Sequence, residues 1–230
     1  MHDFSSSSPF CGGTLLSSDT VLTAAHCVLG RAVTVAVPMG DDTLARATKI
    51  MTDNVEIHPQ YRQHPFPNND FAILTLTIPV NLTESTRPIC LPDPEESYED
   101  SLAVVTGWGV TQHPHPAGQD TSPVLMTANL TTISNKECQA MLHSSKLPPQ
   151  LVPDAITQDM ICAYGEGKTA CKGDSGGPMI TLNKDNFFCL IGVSSWGPYC
   201  EGPSVFSRVT RHLVWIRSHI RGKTCAPSLL

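Results

Sequence analysis

The stretch "CKGDSGGP" (Cys171–Pro178) decides how this chain is interpreted, because it places one serine among three glycines. A serine hydroxyl is a poor nucleophile at neutral pH and needs an adjacent base, which in turn needs a group that holds its tautomer. Glycines let the backbone approach a substrate closely and let successive N–H groups point at one spot, as a developing oxyanion requires. Ser175 is therefore a candidate nucleophile.

Two segments upstream supply candidate partners for Ser175. His26 lies in "TAAHC", a short helical turn, and is a candidate base. Asp70 lies in "NNDFAIL", at the entrance to an apolar strand, where a buried carboxylate needs a hydrogen-bond partner such as an imidazole N–H. Taken singly, His26 is better explained as a packed core histidine and Asp70 as a strand-entry or turn residue. The order and combination of the segments carry the argument.

Composition narrows the class of protein. The chain has 230 residues, of which 40% are hydrophobic and only 16% charged, with a formal net charge of −6. That charged fraction is below the roughly 25% of an average globular chain, which indicates a compact fold. Lysine and arginine are not clustered, so nucleic acid is not an expected partner. No apolar run reaches the roughly 18 residues that a membrane span needs.

The hydrophobic pattern predicts an all-β fold. Strand-like stretches recur without helices between them, so the sheets should be antiparallel. A capping box at Ser134–Glu137 predicts one short helix, and apolar residues at helical spacing predict a second over Thr210–Arg221. The strand-like stretches are "VTVAVPM", "FAILTLTIPV", "LAVVTGWG", "VLMTANLTTI", "FFCLIGVSSWG" and "SVFSRV".

The nine cysteines are scattered and include no C-x-x-C pair. This spacing favours a disulfide framework over a zinc site and indicates an oxidising compartment. Two N-glycosylation sequons, Asn81-Leu82-Thr83 and Asn129-Leu130-Thr131, point the same way. The first residues nevertheless show neither the basic nor the apolar region of a signal peptide.

Taken together and in this order, "TAAHC", "NNDFAIL", "TGWG", "CKGDSGGP" and "SSWG" resemble the chymotrypsin-like (trypsin-family) serine endopeptidases. The resemblance runs from about Phe10 to about Ile220 and keeps the family order of His, Asp and Ser. "GDSGG" also matches the nucleophile elbow of α/β-hydrolases, but that elbow needs a strand-to-helix turn. Here Pro178 and strand-like sequence follow the serine.

The resemblance implies two antiparallel six-stranded β-barrels with the site in the cleft between them. We expect an N-terminal barrel over about 10–88, a linker over about 89–101 and a C-terminal barrel over about 102–209. A C-terminal helix is expected over about 210–221. The first strand of the family is expected to be missing, since only ten residues precede Cys11.

On this chain the resemblance makes His26 the general base and then acid, Asp70 its orienting group and Ser175 the nucleophile that forms the acyl-enzyme. The N–H groups of Gly173 and Ser175 would form the oxyanion hole. Asp174 resembles the switch residue that receives a new α-amino group when a zymogen is cleaved.

Further residues are implied to bind substrate. Lys172 belongs to this group, and Ser195-Trp196-Gly197 would pair with an extended substrate as an additional strand. The base of the primary pocket would be Thr169, where trypsin-like members carry Asp, and Ser204 would narrow it. Without a buried anion, an Arg or Lys side chain of the substrate would remain uncompensated there, so we expect cleavage after an uncharged residue. Glu201 is the alternative source of a negative charge.

The family pattern also implies three disulfides and leaves three cysteines over. The three left over are Cys90, Cys189 and Cys225, of which Cys189 and Cys225 depart from the common family pattern. A Cys90–Cys189 bond is one alternative for them, and a bond to an absent segment is another. No metal or other cofactor is expected: "MGDDTLARATKIM" (Met39–Met51) lacks the acid spacing of a calcium loop, and "QHPHP" (Gln112–Pro116) is better explained as a surface loop. The implied disulfides are Cys11–Cys27, Cys138–Cys162 and Cys171–Cys200.

The N-terminal residues lack the Ile/Val-led motif with which the family's catalytic domain begins. We therefore expect Met1 to be an internal methionine of a longer, secreted precursor, and the chain as written to behave like a zymogen. The alternative is a catalytically silent homologue that acts as a binding or regulatory module. Expected partners are protein or peptide substrates and, by family resemblance, serpin or Kunitz-type inhibitors, with no membrane partner and a monomeric state.

Overall fold

The computed structural model describes residues 1–3, 10–31, 33–37, 43, 47–63, 65–111, 121–145, 147–198, 200 and 202–225. It consists of two six-stranded antiparallel β units followed by a short C-terminal helix. The predicted all-β fold is thereby confirmed. Met39–Asp42, Gln112–Pro116 and Glu201 lie outside the described residues.

The first unit is a six-stranded sheet in the order β1-β4-β5-β6-β3-β2. Among the described residues this sheet is open, so it forms a half-barrel and not a closed barrel. The expectation of a missing first strand is corrected, because His2–Asp3 pairs with β4 through His2↔Thr34 and Asp3↔Val33. Its strands are β1 His2–Asp3, β2 Thr14–Leu15, β3 Thr20–Thr23, β4 Val33–Val37, β5 Thr48–Ile57 and β6 Ala72–Leu76.

The second unit is a closed barrel in the order β10-β11-β12-β9-β8-β7. All of its strand pairs are antiparallel. Pro178, three residues after Ser175, opens a strand and not a helix, which excludes the α/β-hydrolase elbow. The strands are β7 Leu102–Gly107, β8 Met126–Ile133, β9 Met160–Tyr164, β10 Pro178–Leu182, β11 Phe188–Trp196 and β12 Ser204–Arg208.

Three short α-helices are found in the described part of the chain: α1 Ala25–Val28, α2 Asn135–His143 and α3 Leu213–His219. The predicted helix α2 is found with one of the two capping-box hydrogen bonds: Ser134 Oγ accepts the Glu137 N–H at 3.2 Å. The C-terminal helix is shorter than the sequence pattern predicted. Its first turn, Val209–His212, is a 3-10 turn, and Ile220 already has extended backbone angles.

Each unit has its own buried core, and the first core extends to the second unit. Phe71, Leu22 and Leu74 fill the half-barrel, and Leu190 and Val193 of β11 join the same cluster. Phe206 and Met179 belong to the cluster inside the closed barrel. Continuous packing across the two units fixes the walls of the cleft between them.

Four disulfides join eight of the nine cysteines. Cys11–Cys27, Cys138–Cys162 and Cys171–Cys200 pair as the family resemblance implied. The proposed Cys90–Cys189 bond is wrong, since Cys90 pairs with Cys225 and joins the segment between the two units to the residues after α3. Cys189 is a free, buried thiol with its sulfur 3.8 Å from the Tyr98 hydroxyl. Burial raises the pKa of that thiol to about 11.

Within the described residues, none of the helices is long and apolar enough to cross a membrane.

Candidate active site

Asp70 is the buried centre of a hydrogen-bond network at the entrance to β6. The side chain has no exposed surface and accepts three hydrogen bonds. Its Oδ1 accepts the His26 backbone N–H at 2.9 Å, and its Oδ2 accepts His26 Nδ1 at 2.7 Å and Ser195 Oγ at 2.6 Å. A fully buried carboxylate is tolerated when its lone pairs are satisfied in this way.

This network fixes the orientation and tautomer of the His26 ring. Because Nδ1 donates to Asp70, Nε2 is left as the free acceptor nitrogen of the neutral ring. The His26 side chain keeps about a quarter of its surface, 24%, exposed to the cleft. Nε2 lies 3.7 Å from Cys27 Sγ. That sulfur is joined to Cys11 in a disulfide, so no thiolate is present to help bind a metal.

The Ser175 turn is held against the segment that leads into α1. Ser175 C=O accepts the Gly12 N–H at 2.7 Å, and Gly176 N–H donates to Ser194 C=O at 2.7 Å. Gly176 has φ +77°, and a Cβ there would lie 2.8 Å from Gly12 O and 3.1 Å from Ala24 N. Ser175 is half-buried. The turn thus packs against Gly12 and against Ala24, which is two residues before His26.

We expect Gly176→Ala to lower the free energy of unfolding by roughly 2–4 kcal/mol, because it adds both backbone strain and a clash with fixed backbone atoms. The matched control is Gly167→Ala. Gly167 has a similar φ of +65°, but no atom lies within 4 Å of the point that its Cβ would occupy, so this change should cost about 1 kcal/mol. Chemical denaturation of both variants measures the difference. Equal losses would contradict the close packing of the Ser175 turn.

Two backbone N–H groups of the Ser175 turn are available to a ligand. Within the described part of the chain, the N–H groups of Gly173 and Ser175 have no hydrogen-bond acceptor, whereas the N–H of Asp174 between them donates to Cys171 C=O at 2.9 Å. Gly173 has φ +98°, and Gly109 Cα lies 3.0 Å from where its Cβ would be. Only glycine fits this position without displacing the neighbouring backbone.

The carboxylate of Asp174 points away from the cleft, toward the "TGWG" turn after β7. It accepts the Gly109 N–H at 2.8 Å and the Cys171 N–H at 3.0 Å. Burial raises the pKa of Asp174, and these two hydrogen bonds partly oppose that shift. The α-amino group of Met1 donates instead to Cys11 C=O at 2.5 Å. Thus no charged partner holds Asp174 among the described residues.

A cavity of about 590 Å³ lies within the second unit and is lined by Thr169, Cys200 and Gly202, and also by Lys168 and Asp174; His26, Ser175 and Ser204 do not line it. Thr169 Oγ1 and Ser204 Oγ face each other at 2.8 Å, and Ser204 Oγ also accepts the Ala170 N–H at 3.1 Å. The structure therefore brings together the two residues that the sequence placed at the base of the pocket. Both are uncharged hydroxyl side chains.

The remaining predicted substrate-binding residues lie in two places, at the end of β11 and in the segment before Ser175. Ser195 and Trp196 end β11, and Gly197 follows with an exposed backbone. Ser195 also binds Asp70, a role that sequence analysis did not identify. Lys172 has an exposed side chain, and its C=O accepts the Val110 N–H at 2.9 Å.

Phe66 is a contact of Trp196 that sequence analysis missed. Its ring stacks on Trp196 with centroids 4.2 Å apart and planes at 8°. The segment that carries it is closed by reciprocal hydrogen bonds between Arg62 and Asn68, and Asn68 Oδ1 accepts Thr157 Oγ1 at 2.9 Å. No local pattern reveals this stacking, because the two aromatic residues are 130 positions apart in the chain.

A buried histidine pair packs next to Asp70, and it too was missed. His212 Nδ1 lies 3.2 Å from His58 Nε2, and the centroids of the Phe71 and His212 rings are 5.0 Å apart. His212 Nε2 is buried and lies 3.7 Å from the carboxylate of Asp159, beyond hydrogen-bond distance. Burial, and then the neighbouring His58, lower the pKa of His212 to about 4, while Asp159 acts in the opposite direction.

This histidine pair predicts a loss of stability in acid. The folded-state pKa of His212 is below its unfolded value of about 6.5, so its contribution is fully present above pH 6.5 and is lost as pH falls toward 4. We expect a loss on the order of 2–3 kcal/mol between these pH values. Thermal melts of His212→Phe should show a shallower acid slope, whereas the exposed control His143→Gln should keep it. Identical slopes in His212→Phe and the parent would contradict the assignment.

The site thus combines a buried Asp–His pair, a serine on a glycine turn and an uncharged Thr–Ser pair, carried by two antiparallel β units, which is the arrangement of a chymotrypsin-like serine protease. The comparisons agree. The Trypsin family model matches residues 1–216, and the chain belongs to this family.

Similar proteins are found among curated sequences and solved structures. The chain is 33% identical to vitamin K-dependent protein C of Oryctolagus cuniculus over 94% of this chain and 48% of the relative. It is 32% identical to ovochymase-2 of Mus musculus over 92% of this chain and 37% of the relative. The structure of neuropsin, a serine protease of mouse brain, matches with a TM-score of 0.75 at 27% identity, over 91% of this chain and 88% of that one. The chain thus spans about half or less of the curated relatives.

Proposed function

We propose that this chain is the catalytic part of a secreted serine endopeptidase that hydrolyses peptide bonds through an acyl-enzyme. The observation that carries the proposal is the Asp70–His26 pair. Asp70 is fully buried, holds Nδ1 of His26 as a donor and leaves Nε2 as the acceptor nitrogen of the ring. This is the state in which an imidazole can accept a proton from a serine hydroxyl.

In the proposed reaction, Ser175 Oγ attacks the scissile carbonyl carbon while His26 Nε2 takes its proton. The imidazolium is stabilised by Asp70, which remains ionised. The developing oxyanion is bound by the free N–H groups of Gly173 and Ser175. His26 then gives its proton to the leaving amine, and a water molecule, activated in the same way, hydrolyses the ester on Ser175.

The proposed substrate is an extended peptide with an uncharged residue at the cleavage site. It would pair with Ser195-Trp196-Gly197, which lies at the end of β11. The neutral Thr169–Ser204 base of the pocket supports this preference, because a buried cation there would lack a compensating anion.

We extend the proposal in three respects: the protein is secreted, it is a monomer, and serpin or Kunitz-type inhibitors bind in its active-site cleft. Four disulfides support an oxidising compartment.

A fluorophosphonate probe tests the proposal directly, because it labels only an activated serine. We expect labelling of the natively secreted protein at Ser175 and none in Ser175→Ala. The control is Ser218→Ala, which removes an exposed hydroxyl on α3 and should not change labelling. If the folded secreted protein were not labelled even after proteolytic activation, the chain would be a silent homologue, and the catalytic proposal would be wrong; labelling only after activation would identify a zymogen.

A further inference from the structure

The outer face of the closed barrel carries a row of exposed apolar side chains that the catalytic proposal does not use. Phe188, Leu182, Leu102 and Tyr164 have 51%, 49%, 65% and 36% of their surface exposed, respectively. Thr131, also exposed, lies between Leu102 and Tyr164. The row therefore takes one residue from each of five strands.

The strand register places these residues side by side. Leu182 is paired with Phe188, Leu102 with Thr131, and Thr131 with Tyr164. The β10–β7 ladder runs through Ile180↔Val104, and Thr181 Oγ1 donates to Leu102 C=O at 2.7 Å, so Leu182 neighbours Leu102. With strands about 4.8 Å apart, the row is roughly 19 Å long. A contiguous apolar surface of this length on a soluble protein needs an explanation.

An N-glycosylation sequon lies within the same surface. Asn129-Leu130-Thr131 runs along β8, and strand alternation directs Asn129 and Thr131 outward while Leu130 is buried. Thr131 is a member of the row, and Asn129 is paired with Val104, the next outward residue of β7 after Leu102. The side-chain amide of Asn129 is exposed and has no hydrogen-bond partner within the described part of the chain.

We propose that Asn129 carries an N-linked glycan and that this glycan covers the apolar row. In the modification, the amide nitrogen of Asn129 displaces the pyrophosphate from the anomeric carbon of a lipid-pyrophosphate-linked oligosaccharide. A C–N bond forms, the C–O bond to phosphate breaks, the amide loses one proton and the lipid pyrophosphate leaves. The hydroxyl of Thr131 is the second half of the recognised motif.

The position of the glycan leaves the cleft open. β7 runs from Leu102 in the row to Gly107, which packs against Asp174 beside the catalytic turn. Asn129 is paired with Val104, so three residues of extended strand, about 10 Å, separate its strand position from Gly107. The Asn129 side chain is directed outward, away from the barrel interior that Leu130 faces, so removal of the glycan should leave cleavage of short peptides within about twofold of the parent.

The other sequon offers an internal control. Asn81 is exposed and follows Val80, whose N–H donates to Ser18 C=O in the first unit. A glycan on Asn81 would therefore be attached to the half-barrel and not beside the row. Its removal should not change the behaviour of the apolar surface.

The first test uses protein secreted from eukaryotic cells. Peptide-N-glycosidase treatment in heavy-oxygen water should convert Asn129 to a labelled aspartate in the tryptic peptide that contains it. On gels, Asn129→Gln and Thr131→Ala should each lose one glycan, while Thr131→Ser, which keeps the motif, should retain it. An unmodified Asn129 peptide in the secreted, disulfide-bonded protein would overturn the proposal.

The second test addresses the covering role. Enzymatic deglycosylation of the folded Asn81→Gln variant should increase binding of an apolar dye severalfold, and the double substitution Leu102→Thr, Leu182→Thr should suppress that increase. Deglycosylation of the folded Asn129→Gln variant, which removes only the Asn81 glycan, should leave dye binding unchanged. Unchanged dye binding after removal of the Asn129 glycan would show that the glycan does not cover the row.

Discussion

Asp70→Asn is expected to reduce kcat by roughly 10⁴-fold while the protein stays folded. The carboxylate has no exposed surface, and all three of its hydrogen bonds are acceptor bonds: two to His26 and one to Ser195. An amide offers one oxygen and one NH₂ group in the same space. In one orientation the NH₂ group points at the His26 backbone N–H, so two donors face each other. In the other orientation the NH₂ group points at Nδ1 and favours the tautomer of His26 in which the ring proton is on Nε2. In that tautomer the ring cannot accept the proton of Ser175.

The kinetic measurement separates this effect from simple loss of structure. We expect kcat and kcat/KM on a short peptide ester to fall together, with thermal stability within a few degrees of the parent. Asp159→Asn is the matched control, because Asp159 also faces a histidine ring, 3.7 Å from His212 Nε2, but lies outside the network. It should change kcat less than threefold. A fall of less than tenfold in Asp70→Asn would contradict the role assigned to Asp70.

Much of the fold follows from local sequence. The strands β6, β7, β8, β11 and β12 are apolar or alternate regularly, and each begins or ends near turn residues. By contrast, β5 could not be found in this way. Most of its side chains are exposed on the sheet, so Thr48–Ile57 shows no hydrophobic period although it pairs with both β4 and β6. Its structure comes from backbone pairing with neighbours and not from its own pattern.

In the candidate site, too, local sequence revealed some of the functional residues and not others. His26, Asp70 and Ser175 were recognised because each lies in a short motif whose residues create the local backbone. Ser195, Phe66 and His212 were missed as contacts because their partners lie at distant positions in the chain. The pairing of Cys90 with Cys225 was missed for the same reason: the bond depends on where the chain after α3 returns, which no spacing rule predicts.

The neutral pocket predicts a strong preference against basic residues at the cleavage site. Thr169 Oγ1 and Ser204 Oγ satisfy each other at 2.8 Å, and Ser204 also accepts the Ala170 N–H. A guanidinium or ammonium placed on these hydroxyls would lose hydration without gaining an anion, at a cost of several kcal/mol. We expect kcat/KM for Arg or Lys at the cleavage site to be at least about 100-fold below that for an apolar residue of similar length.

A peptide library with a varied cleavage-site residue measures this preference, and two variants test its cause. Thr169→Asp should lower kcat/KM on apolar substrates by about 10–100-fold, because it buries a carboxylate whose nearest donor is a single hydroxyl. Thr169→Val preserves the side-chain volume and adds no charge. It should therefore retain the preference for apolar residues, with a less than tenfold loss of kcat/KM. If the parent enzyme instead preferred Arg or Lys, the Thr169–Ser204 pair would not determine specificity. Another anion, such as the Glu201 that the sequence offers as an alternative, would then have to supply the charge, and Glu201→Gln would remove the basic preference.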